Sequence, residues 1–561
     1  MDTREDRVAA GGGGAGICRD HETVSISGWA EHSGGVNPWA RRGKPFPPGG
    51  AIPREIASRH TRPVSSRILA IDQGTTSSRA LVVDGRGDIL GSGQFAFGQH
   101  FPQPGWVEHD PEEIWSSTRD AIEVALRESV TEPRHLAAIG ITNQRETVVV
   151  WDRESGAALA PAIVWQDRRT AARCAELKAG GHEAATQLRT GLTIDPYFSG
   201  TKIAWLIENV PAVREAVASG RALAGTVDSW LVWKLTGGQR HVTDLTNASR
   251  TLLFNIHRLA WDPNLCELLG VPVEILPEVL PSASHFGTTS AEVFGAAAPI
   301  LAIAGDQQAA LAGQACFKPG QAKNTYGTGC FLLANSGTEA KLSSNRLLTT
   351  LSASSRFHAP SYAQEGSVFV AGALVQWLRD GLGIIERSEE IEALAASVPD
   401  SGGVTIVPGF TGLGAPYWDP NARGAILGLT RGTGRGQIAR AALEAIALLS
   451  AELVEAMAAD LGAPIRELRV DGGASSDDLL MQMQADFSGI PVLRPKKTET
   501  TALGAAYLAG LGAGIWRSEE EITSLWALDR RFEPSIPAGE RGARMAEWRR
   551  AVRRVLEGGG A

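Results

Sequence analysis

The sequence predicts an α/β protein made of two related halves with a site between them. Three observations support this. Strand-like and helix-like segments alternate from Arg67 onward. Short polar clusters interrupt the apolar strands at several places. A strand-rich segment with a polar turn occurs early in the chain and again in its middle, although chance similarity between short apolar strands would explain that echo equally well.

Composition sets the broad class of the protein. The 561 residues suffice for two to four domains, and 43% hydrophobic with 21% charged residues is typical of a globular chain. A net charge of -8 argues against nucleic-acid binding. No apolar run approaches the ~18 residues of a membrane span, and no signal peptide is visible. Five dispersed cysteines indicate neither a disulfide framework nor a zinc site. We therefore expect a cytoplasmic protein.

Residues 1–66 differ from the rest of the chain. They are rich in Gly, Pro, Arg and Ser and show no sustained period of 2 or 3.6 residues. Such a composition buries too little surface to offset the entropy of ordering. The segment is predicted to be a disordered extension, or the product of a start site assigned too far upstream.

The stretch "ILAIDQGTTSSRALVVD" (68–84) reads as a β-hairpin. Its turn offers hydroxyls, a carboxylate, a cation and backbone N–H groups. Further along, "HLAAIGITNQRETVVVWD" reads as strand, polar interruption and strand. The segment "GQIARAALEAIALLSAELVEAMAADLG" predicts a helix that buries Leu443, Ile446, Leu449, Leu453 and Met457. The early hairpin is echoed by "ILAIAGDQQAAL" (300–311) and then by "AKNTYGTGCFLLAN".

Five polar clusters interrupt apolar strands, and any one of them alone reads more simply as a hydrogen-bonded turn. They are Asp72 to Arg79, Gln144 to Thr147, Gly305 to Gln308, Gly327 to Gly329 and Asp471 to Ala474. Together they favour a shared site, because polar groups at buried strand ends are costly without partners or a ligand.

The residue types of these clusters suit phosphoryl transfer. Gly-Thr-Thr and Gly-Thr-Gly turns present N–H groups and hydroxyls to anionic oxygens. Asp72 and Asp306 are candidates to share two tasks. One carboxylate would serve Mg²⁺, which prefers few carboxylates plus phosphate oxygens and water. The other would accept the proton of an attacking hydroxyl.

The ordered motifs "AIDQGTTSSRA", "GITNQRET", "IVWQDRRT", "IDPYFSGTKIAWL", "AGDQQAAL", "AKNTYGTGCF", "FTGLGAPYWDP" and "RVDGGAS" resemble the glycerol kinases of the FGGY carbohydrate kinase family. The resemblance runs from about residue 67 to about residue 516. It implies two ribonuclease-H-like (actin/hexokinase-type) domains with an interdomain cleft, and ATP-dependent conversion of glycerol to sn-glycerol 3-phosphate in glycerol catabolism.

The resemblance also implies domain bounds. An N-terminal kinase domain over 67–313 would hold glycerol and phosphate. A C-terminal kinase domain over 314–525 would hold the nucleotide, and a tail with an amphipathic helix would follow over 526–561. A homodimer or homotetramer is compatible with it.

Roles follow residue by residue from the same resemblance. Asp306 would be the general base, and Asp72 would lie on the metal side with Mg²⁺. Glycerol would contact Arg145, Glu146, Trp165, Tyr197, Asp306, Gln307 and Phe331. ATP or ADP would contact Thr75, Thr76, Ser77, Arg79, Thr328, Gly372, Gln376, Gly473 and Asp477.

Individual residues have simpler alternatives. Trp165 is a candidate core residue, Arg79 a partner for an acidic neighbour, and Tyr197 an exposed turn residue. Lys202 and Arg250 read as structural ion-pair partners before they read as ligands.

The chain also departs from the family pattern. Asp477 stands where the family usually has Asn, so nucleotide affinity or base preference is open there. The segment "AEVFGAAAP" (291–299) replaces the family's "GGKGGTR" segment for an inhibitory sugar bisphosphate, and the activating histidine of other bacteria has no counterpart. We expect neither form of control.

Two other functions stay open at this point. One is a kinase of the same superfamily that acts on xylulose, ribulose or gluconate. The other is a non-kinase actin-type ATPase, or a degraded paralogue that only binds. Joint retention of Asp72, Thr75, Asp306, Thr328 and Gly473 argues against decay.

Overall fold

The computed structural model describes residues 66–354 and 360–558. The predicted N-terminal extension therefore lies outside the described residues, apart from Ser66. Within the described ranges, no helix has the length and apolar character needed to cross a bilayer.

The strands are, in chain order, β1 (Arg67–Gln73), β2 (Ser77–Val83), β3 (Ile89–Ala96), β4 (Glu108–His109), β5 (Leu136–Asn143), β6 (Val148–Asp152), β7 (Ala162–Ile163), β8 (Ala222–Thr226), β9 (Val242–Asp244), β10 (Phe254–Asn255), β11 (Ala260–Trp261), β12 (Glu278–Leu280), β13 (Gly287–Thr288), β14 (Pro299–Gly305), β15 (Ala322–Tyr326), β16 (Cys330–Gly337), β17 (Leu348–Leu351), β18 (Tyr362–Val368), β19 (Thr405–Val407), β20 (Ala425–Leu427), β21 (Leu468–Asp471), β22 (Val492–Pro495) and β23 (Leu528–Phe532).

The α-helices are α1 (Pro111–Glu128), α2 (Ala171–Ala179), α3 (Glu183–Thr190), α4 (Ser199–Asn209), α5 (Pro211–Ala218), α6 (Val227–Leu235), α7 (Leu245–Ala248), α8 (Pro263–Leu269), α9 (Ala291–Phe294), α10 (Asp306–Gly313), α11 (Gly372–Asp380), α12 (Glu390–Ala396), α13 (Arg435–Leu461), α14 (Asp478–Ser488), α15 (Thr500–Ala513), α16 (Glu519–Leu525) and α17 (Ala538–Gly558). Short 3₁₀ turns cover Pro133–His135, Val273–Ile275 and Gly473–Ser476.

The first large sheet has the strand order β13-β14-β5-β1-β2-β3. Strands β1, β2 and β3 form an antiparallel meander, and β5 and β14 join β1 in parallel. The predicted hairpin is confirmed, with Asp72 opposite Arg79. Parallel β1, β5 and β14 bring their carboxyl ends to one edge, which is where ligands bind in open α/β sheets.

The second large sheet, β17-β18-β16-β15-β21-β22-β23, repeats this plan. Strands β15, β16 and β18 form the meander, and β21 and β22 continue it in parallel. Both sheets therefore contain a ribonuclease-H-like five-strand core, and the predicted internal repeat is real. The true counterpart of the early hairpin is β15–β16, whereas residues 300–311 form β14 and the start of α10.

The other predicted elements are present. The long helix is α13, and its five named apolar residues are all buried. The segment "HLAAIGITNQRETVVVWD" forms β5 and β6, but these strands belong to different sheets. The polar residues between them therefore lie where the chain leaves the first large sheet. The predicted domain bounds stay a prediction.

Helices α10 and α15 cross at two glycines. A Cβ on Gly504 would lie 1.8 Å from the carbonyl oxygen of Ala309, and one on Gly313 would lie 1.9 Å from that of Thr500. Helix α15 is buried nearly all round, and its alanines share a core with β1, β5 and β14. Because α10 begins at Asp306, this crossing also fixes the place of that residue.

We expect Gly504→Ala to lower the free energy of unfolding by about 1–3 kcal/mol or more, because the added methyl group has no room against backbone. Chemical denaturation measures the effect. Gly542→Ala is the matched control, since Gly542 is also helical but nothing lies within 4 Å of its added Cβ. It should be neutral or stabilising. Equal stability of the Gly504→Ala variant and the wild type would contradict the close crossing.

Candidate active site

A small cavity at the edge of the first sheet collects residues from both sheets. It encloses about 150 Å³ and is lined by Thr75, Arg145, Glu146, Trp165, Tyr197, Asp306, Gln307, Thr325, Gly327, Thr328, Gly329 and Phe331. All seven residues predicted to contact the acceptor are in this lining, as are Thr75 and Thr328 from the predicted nucleotide set.

Each polar cluster reaches the cavity from the end of a strand. Thr75 lies in the β1–β2 turn, Arg145 and Glu146 follow β5, and Asp306 follows β14 as the first residue of α10. The turn from Gly327 to Gly329 joins β15 to β16. Glu146 has a φ of 62°, a left-handed conformation that side chains other than glycine adopt only under local constraint.

Asp306 is held in the cavity by three contacts. The backbone N–H of Gln307 donates to its Oδ1 at 2.7 Å, and the Gln307 amide donates to its Oδ2 at 3.1 Å. The Nε atom of Arg145 lies 3.0 Å from Oδ1. With 29% of its side chain exposed, Asp306 remains accessible to a ligand.

Arg145 belongs to a buried chain of alternating charges. Its guanidinium contacts Asp306 on one side and both carboxylate oxygens of Glu365 on the other, at 2.5 and 3.1 Å. Arg250 bridges Glu365 at 3.0 Å and Glu146 at 2.6 Å. Glu365 and Arg250 are fully buried, so each charge depends on its partners.

The pKa of Glu365 shows how strongly the two guanidiniums act. Burial alone would raise this pKa, but Arg145 and Arg250 outweigh burial and hold the pKa at about 2. For Glu146 the balance is different, because burial raises its pKa more than Arg250 and Arg145 lower it.

Aromatic rings form the apolar wall of the cavity. Trp165 packs edge-to-face against Tyr197 and Phe331, with ring centroids 5.7 and 6.0 Å away. The indole N–H of Trp165 donates to Thr75 Oγ1 at 2.9 Å. Trp165 is therefore more than a core residue. Tyr197 is buried, so its interpretation as an exposed turn residue is wrong.

Asp72 lies half-buried at the end of β1, outside the cavity lining. Burial raises its pKa to about 7; Arg79 opposes that shift and Asp306 adds to it. A nearby cation would stabilise the ionised form of a carboxylate whose pKa is raised in this way. Among the described residues, no three His, Cys, Asp or Glu side chains form a ready-made metal site.

The remaining residues of the predicted nucleotide set lie outside the cavity. Thr76 and Gln376 are exposed, and no atom lies within 4 Å of a Cβ built on Gly473. The N–H of Gly372 donates to Gly327 at 3.0 Å, and an added Cβ would come within 2.6 Å of that carbonyl oxygen.

Asp477 has a structural task in addition to its predicted one. It caps α14 by accepting a hydrogen bond from the backbone N–H of Leu480 at 2.8 Å. Its Oδ2 atom is buried without a hydrogen-bond partner, and burial raises its pKa to about 6. Its role in nucleotide preference stays a prediction.

Three cations have partners that the sequence only partly indicated. Arg79 pairs with Glu499 and donates to Gln94, so the acidic-neighbour alternative is the contact present. Arg250 is an ion-pair partner, as expected. The prediction for Lys202 is wrong in its detail, because its ammonium donates to two backbone carbonyls, those of Glu146 and Tyr197.

Sequence reasoning missed Glu365 and Lys323. Both are fully buried charged residues in central strands of the second sheet, and both contact residues that line the cavity. A charged residue inside an otherwise strand-like run was the available signal. Turn chemistry does not indicate either residue, because neither stands in a glycine- or hydroxyl-rich turn.

Comparison with known proteins shows which family this chain belongs to. Models of the FGGY family of carbohydrate kinases match residues 67–313 with the N-terminal domain and 322–513 with the C-terminal domain. The chain belongs to the FGGY family of carbohydrate kinases. The family match and the two sheets together confirm the predicted fold class.

Relatives within this FGGY family are similar over nearly their whole length. The chain is 61% identical over 490 residues to a glycerol kinase of Aromatoleum aromaticum, covering 87% of this chain and 99% of that protein. It is 58% identical over 490 residues to a glycerol kinase of Deinococcus radiodurans, covering 87% and 97%.

Solved structures of FGGY kinases share the fold. The glycerol kinase of Plasmodium falciparum with ADP superposes with a TM-score of 0.81 at 37% identity, covering 88% of this chain and 98% of that one. A xylulose kinase from Rhodospirillum rubrum gives a TM-score of 0.76 at 25% identity, covering 88% and 100%. A glycerol kinase and a xylulose kinase thus share this fold, so the fold alone does not identify the acceptor.

We expect Glu365→Gln to lower the free energy of unfolding by about 3–5 kcal/mol at pH 7, because it leaves two buried guanidiniums short of a counter-charge. The folded-state pKa of Glu365 is depressed, so its stabilisation is complete above the usual pKa of 4.5 and is lost as the pH falls towards about 2. Denaturant unfolding at several pH values between 7 and 3 measures this.

Glu533→Gln is the control for this variant, since Glu533 is an exposed ion-pair partner with 62% of its side chain in contact with solvent. It should change stability by less than about 1 kcal/mol. A difference between wild type and Glu365→Gln that stays constant with pH would contradict the charge network.

Proposed function

We propose that this protein transfers the γ-phosphoryl group of ATP to glycerol and forms sn-glycerol 3-phosphate. The observation that carries the proposal is the small, charge-lined cavity around Asp306, in a chain 56–61% identical to glycerol kinases over most of its length.

Acceptor size and polarity are the first argument. A cavity of about 150 Å³ is small beside the ~300–1,000 Å³ clefts that take drug-sized ligands. Three hydroxyls need several donors and acceptors in little space, and Arg145, Glu146 and Asp306 supply them. Such a site rejects analogues that leave its buried polar groups unpaired.

The aromatic wall is the second argument. Trp165, Tyr197 and Phe331 face the same cavity as the charged groups. Their rings would lie against the C–H face of the acceptor and exclude water, which competes for the phosphoryl group. One polar side and one apolar side together orient a small polyol.

Asp306 is the proposed general base. Its carboxylate is ordered by Gln307 and Arg145, yet part of it stays exposed to the cavity. It would accept the proton of the terminal hydroxyl as that oxygen attacks phosphorus.

The β1–β2 and β15–β16 turns are equivalent in the two sheets. Their hydroxyls and backbone N–H groups are the proposed binding site for the phosphates of ATP. We propose that Thr75, Thr76 and Ser77 of the first turn, with Arg79 close by, and Thr328 of the second turn hold the phosphate oxygens of ATP. Donors fixed in place before the reaction stabilise the charge that develops on the transferring group. Gly372, Gln376, Gly473 and Asp477 would contact the rest of the nucleotide.

Asp72 is the proposed carboxylate for Mg²⁺. Its raised pKa and its position near Asp306 fit a cation held by one carboxylate together with phosphate oxygens and water. When bound, Mg²⁺ would neutralise part of the charge on the phosphates. Asp72 would then stay ionised at neutral pH.

Two further expectations belong to this proposal. The four cysteines of the described residues are all free and buried. Free cysteines are compatible with a reducing compartment, and we propose a cytoplasmic location. A homodimer or homotetramer stays a prediction.

The experiment that tests the function is ADP release from Mg·ATP by the purified protein with glycerol, D-xylulose, gluconate or no acceptor. Stimulation by glycerol alone is the expected result. Stimulation by a sugar would keep the fold and overturn the argument from cavity size. Slow release that ignores every acceptor would favour the non-kinase alternative.

We expect Asp306→Asn to reduce kcat about 10²- to 10⁴-fold, because an amide cannot accept the proton of the hydroxyl. ATP affinity should change little. Steady-state kinetics with glycerol and Mg·ATP measure both quantities. Asp529→Asn, at a half-exposed ion pair on β23, is the matched control and should keep wild-type turnover. Turnover of Asp306→Asn within about tenfold of wild type would contradict the assignment.

We expect Asp72→Asn to raise the Mg²⁺ concentration for half-maximal activity about tenfold or more, because the variant removes the proposed carboxylate ligand. Titrations of Mg²⁺ at fixed ATP, compared with the wild type, measure the shift. An unchanged Mg²⁺ requirement would place the metal elsewhere, even if kcat fell.

A further inference from the structure

Lys323 is a buried cation that the proposed mechanism does not use. It lies in β15 of the second sheet and is fully buried. Its ammonium donates to the Gln307 side-chain oxygen, to Thr325 Oγ1 at 2.8 Å and to the carbonyl oxygen of Phe331 at 3.3 Å. All three of these acceptors are neutral.

The presence of a buried lysine among neutral acceptors needs a physical explanation. Burial of an ammonium without a contacting carboxylate costs several kcal/mol, whereas an apolar side chain of the same length would fill the space without that cost. Asp471 and Asp306 act on Lys323 only through space. The reason must therefore lie in the groups that its ammonium holds.

The ammonium decides which way the Gln307 amide faces. A lysine side chain has donors only, so the amide must turn its oxygen towards Lys323 and its NH₂ group towards Asp306. That NH₂ group reaches Asp306 Oδ2 at 3.1 Å. A flipped amide would set its oxygen against the carboxylate, which is repulsive.

We propose that Lys323 is a positioning residue for Asp306, acting through the orientation of the Gln307 amide. The inference rests on the proposed role of Asp306 as general base. With Gln307 fixed, both carboxylate oxygens have a donor, Oδ1 from the backbone at 2.7 Å and Oδ2 from the amide. The carboxylate is then held in one orientation before the acceptor arrives.

The chain Lys323–Gln307–Asp306 also crosses between the two halves of the protein. Lys323 belongs to the second sheet, while Gln307 and Asp306 begin α10 after the last parallel strand of the first sheet. A residue of the second sheet thus helps to orient a carboxylate that follows the first sheet.

The experiment measures kcat, KM for glycerol and ATP, and the pH dependence of kcat/KM for Lys323→Met. We expect kcat to fall about 10- to 100-fold, as for a misplaced catalytic group. KM for ATP should stay within twofold. Removal of a positive charge and an oriented donor makes the anion of Asp306 less favourable, so the acidic limb of the profile should move to higher pH.

A double-mutant cycle tests whether Lys323 acts through Gln307. In the Gln307→Leu background, Lys323→Met should change kcat less than twofold, because the amide it orients is gone. A full tenfold loss in that background would overturn the proposal. Asn324→Leu is the control: this neighbouring buried side chain of β15 contacts Ser450 of α13 and should leave the acidic limb in place.

Three results separate this inference from the proposed function. Wild type without glycerol-dependent turnover would overturn the proposed function. An active wild type, an inactive Asp306→Asn and a Lys323→Met variant with wild-type kcat and pH profile would overturn only the inference. If Lys323→Met does not fold, Lys323→Gln carries the test, because its amide can present either an oxygen or an NH₂ group and no longer fixes the Gln307 amide: a lower kcat with an acidic limb moved to higher pH supports the inference, and a wild-type kcat and profile overturn it.

Discussion

The chain of buried charges from Glu146 through Arg250, Glu365 and Arg145 to Asp306 is the constraint on which the rest of the site depends. Its members alternate in sign, and four of the five are buried almost completely. Removal of one partner leaves a buried charge without compensation, which costs more than the intact pair contributes. The chain therefore tolerates one arrangement, and that arrangement points Arg145 and Asp306 into the cavity.

This network also explains why the proposed acceptor site needs both halves of the molecule. Arg145, Arg250 and Asp306 come from the part of the chain that builds the first sheet, whereas Glu365 lies in β18 of the second. The tight crossing of α10 and α15 holds the start of α10 against its neighbours. Packing thus sets the position of Asp306, and electrostatics sets its orientation.

The sequence predicts correctly those parts of the structure that depend on neighbouring residues. The hairpin at 68–84, the helix α13 and the strand-end polar clusters were all readable, since turn chemistry and apolar period are local properties. Glu365, Lys323 and the backbone contacts of Lys202 were not, because their partners lie far away in sequence: Glu365 and Arg145 are 220 residues apart. The mid-chain echo at residues 300–311 is misleading, because apolar strands look alike until their pairing is known.

We propose that the charge network presents Asp306 to the terminal hydroxyl of a small polyol. A crystal structure with glycerol and a non-hydrolysable ATP analogue tests it most directly. We expect a terminal hydroxyl within about 2.6–3.2 Å of an Asp306 oxygen, with the carbon backbone against Trp165 and Phe331. Glycerol bound elsewhere, or with no hydroxyl near Asp306, would contradict it.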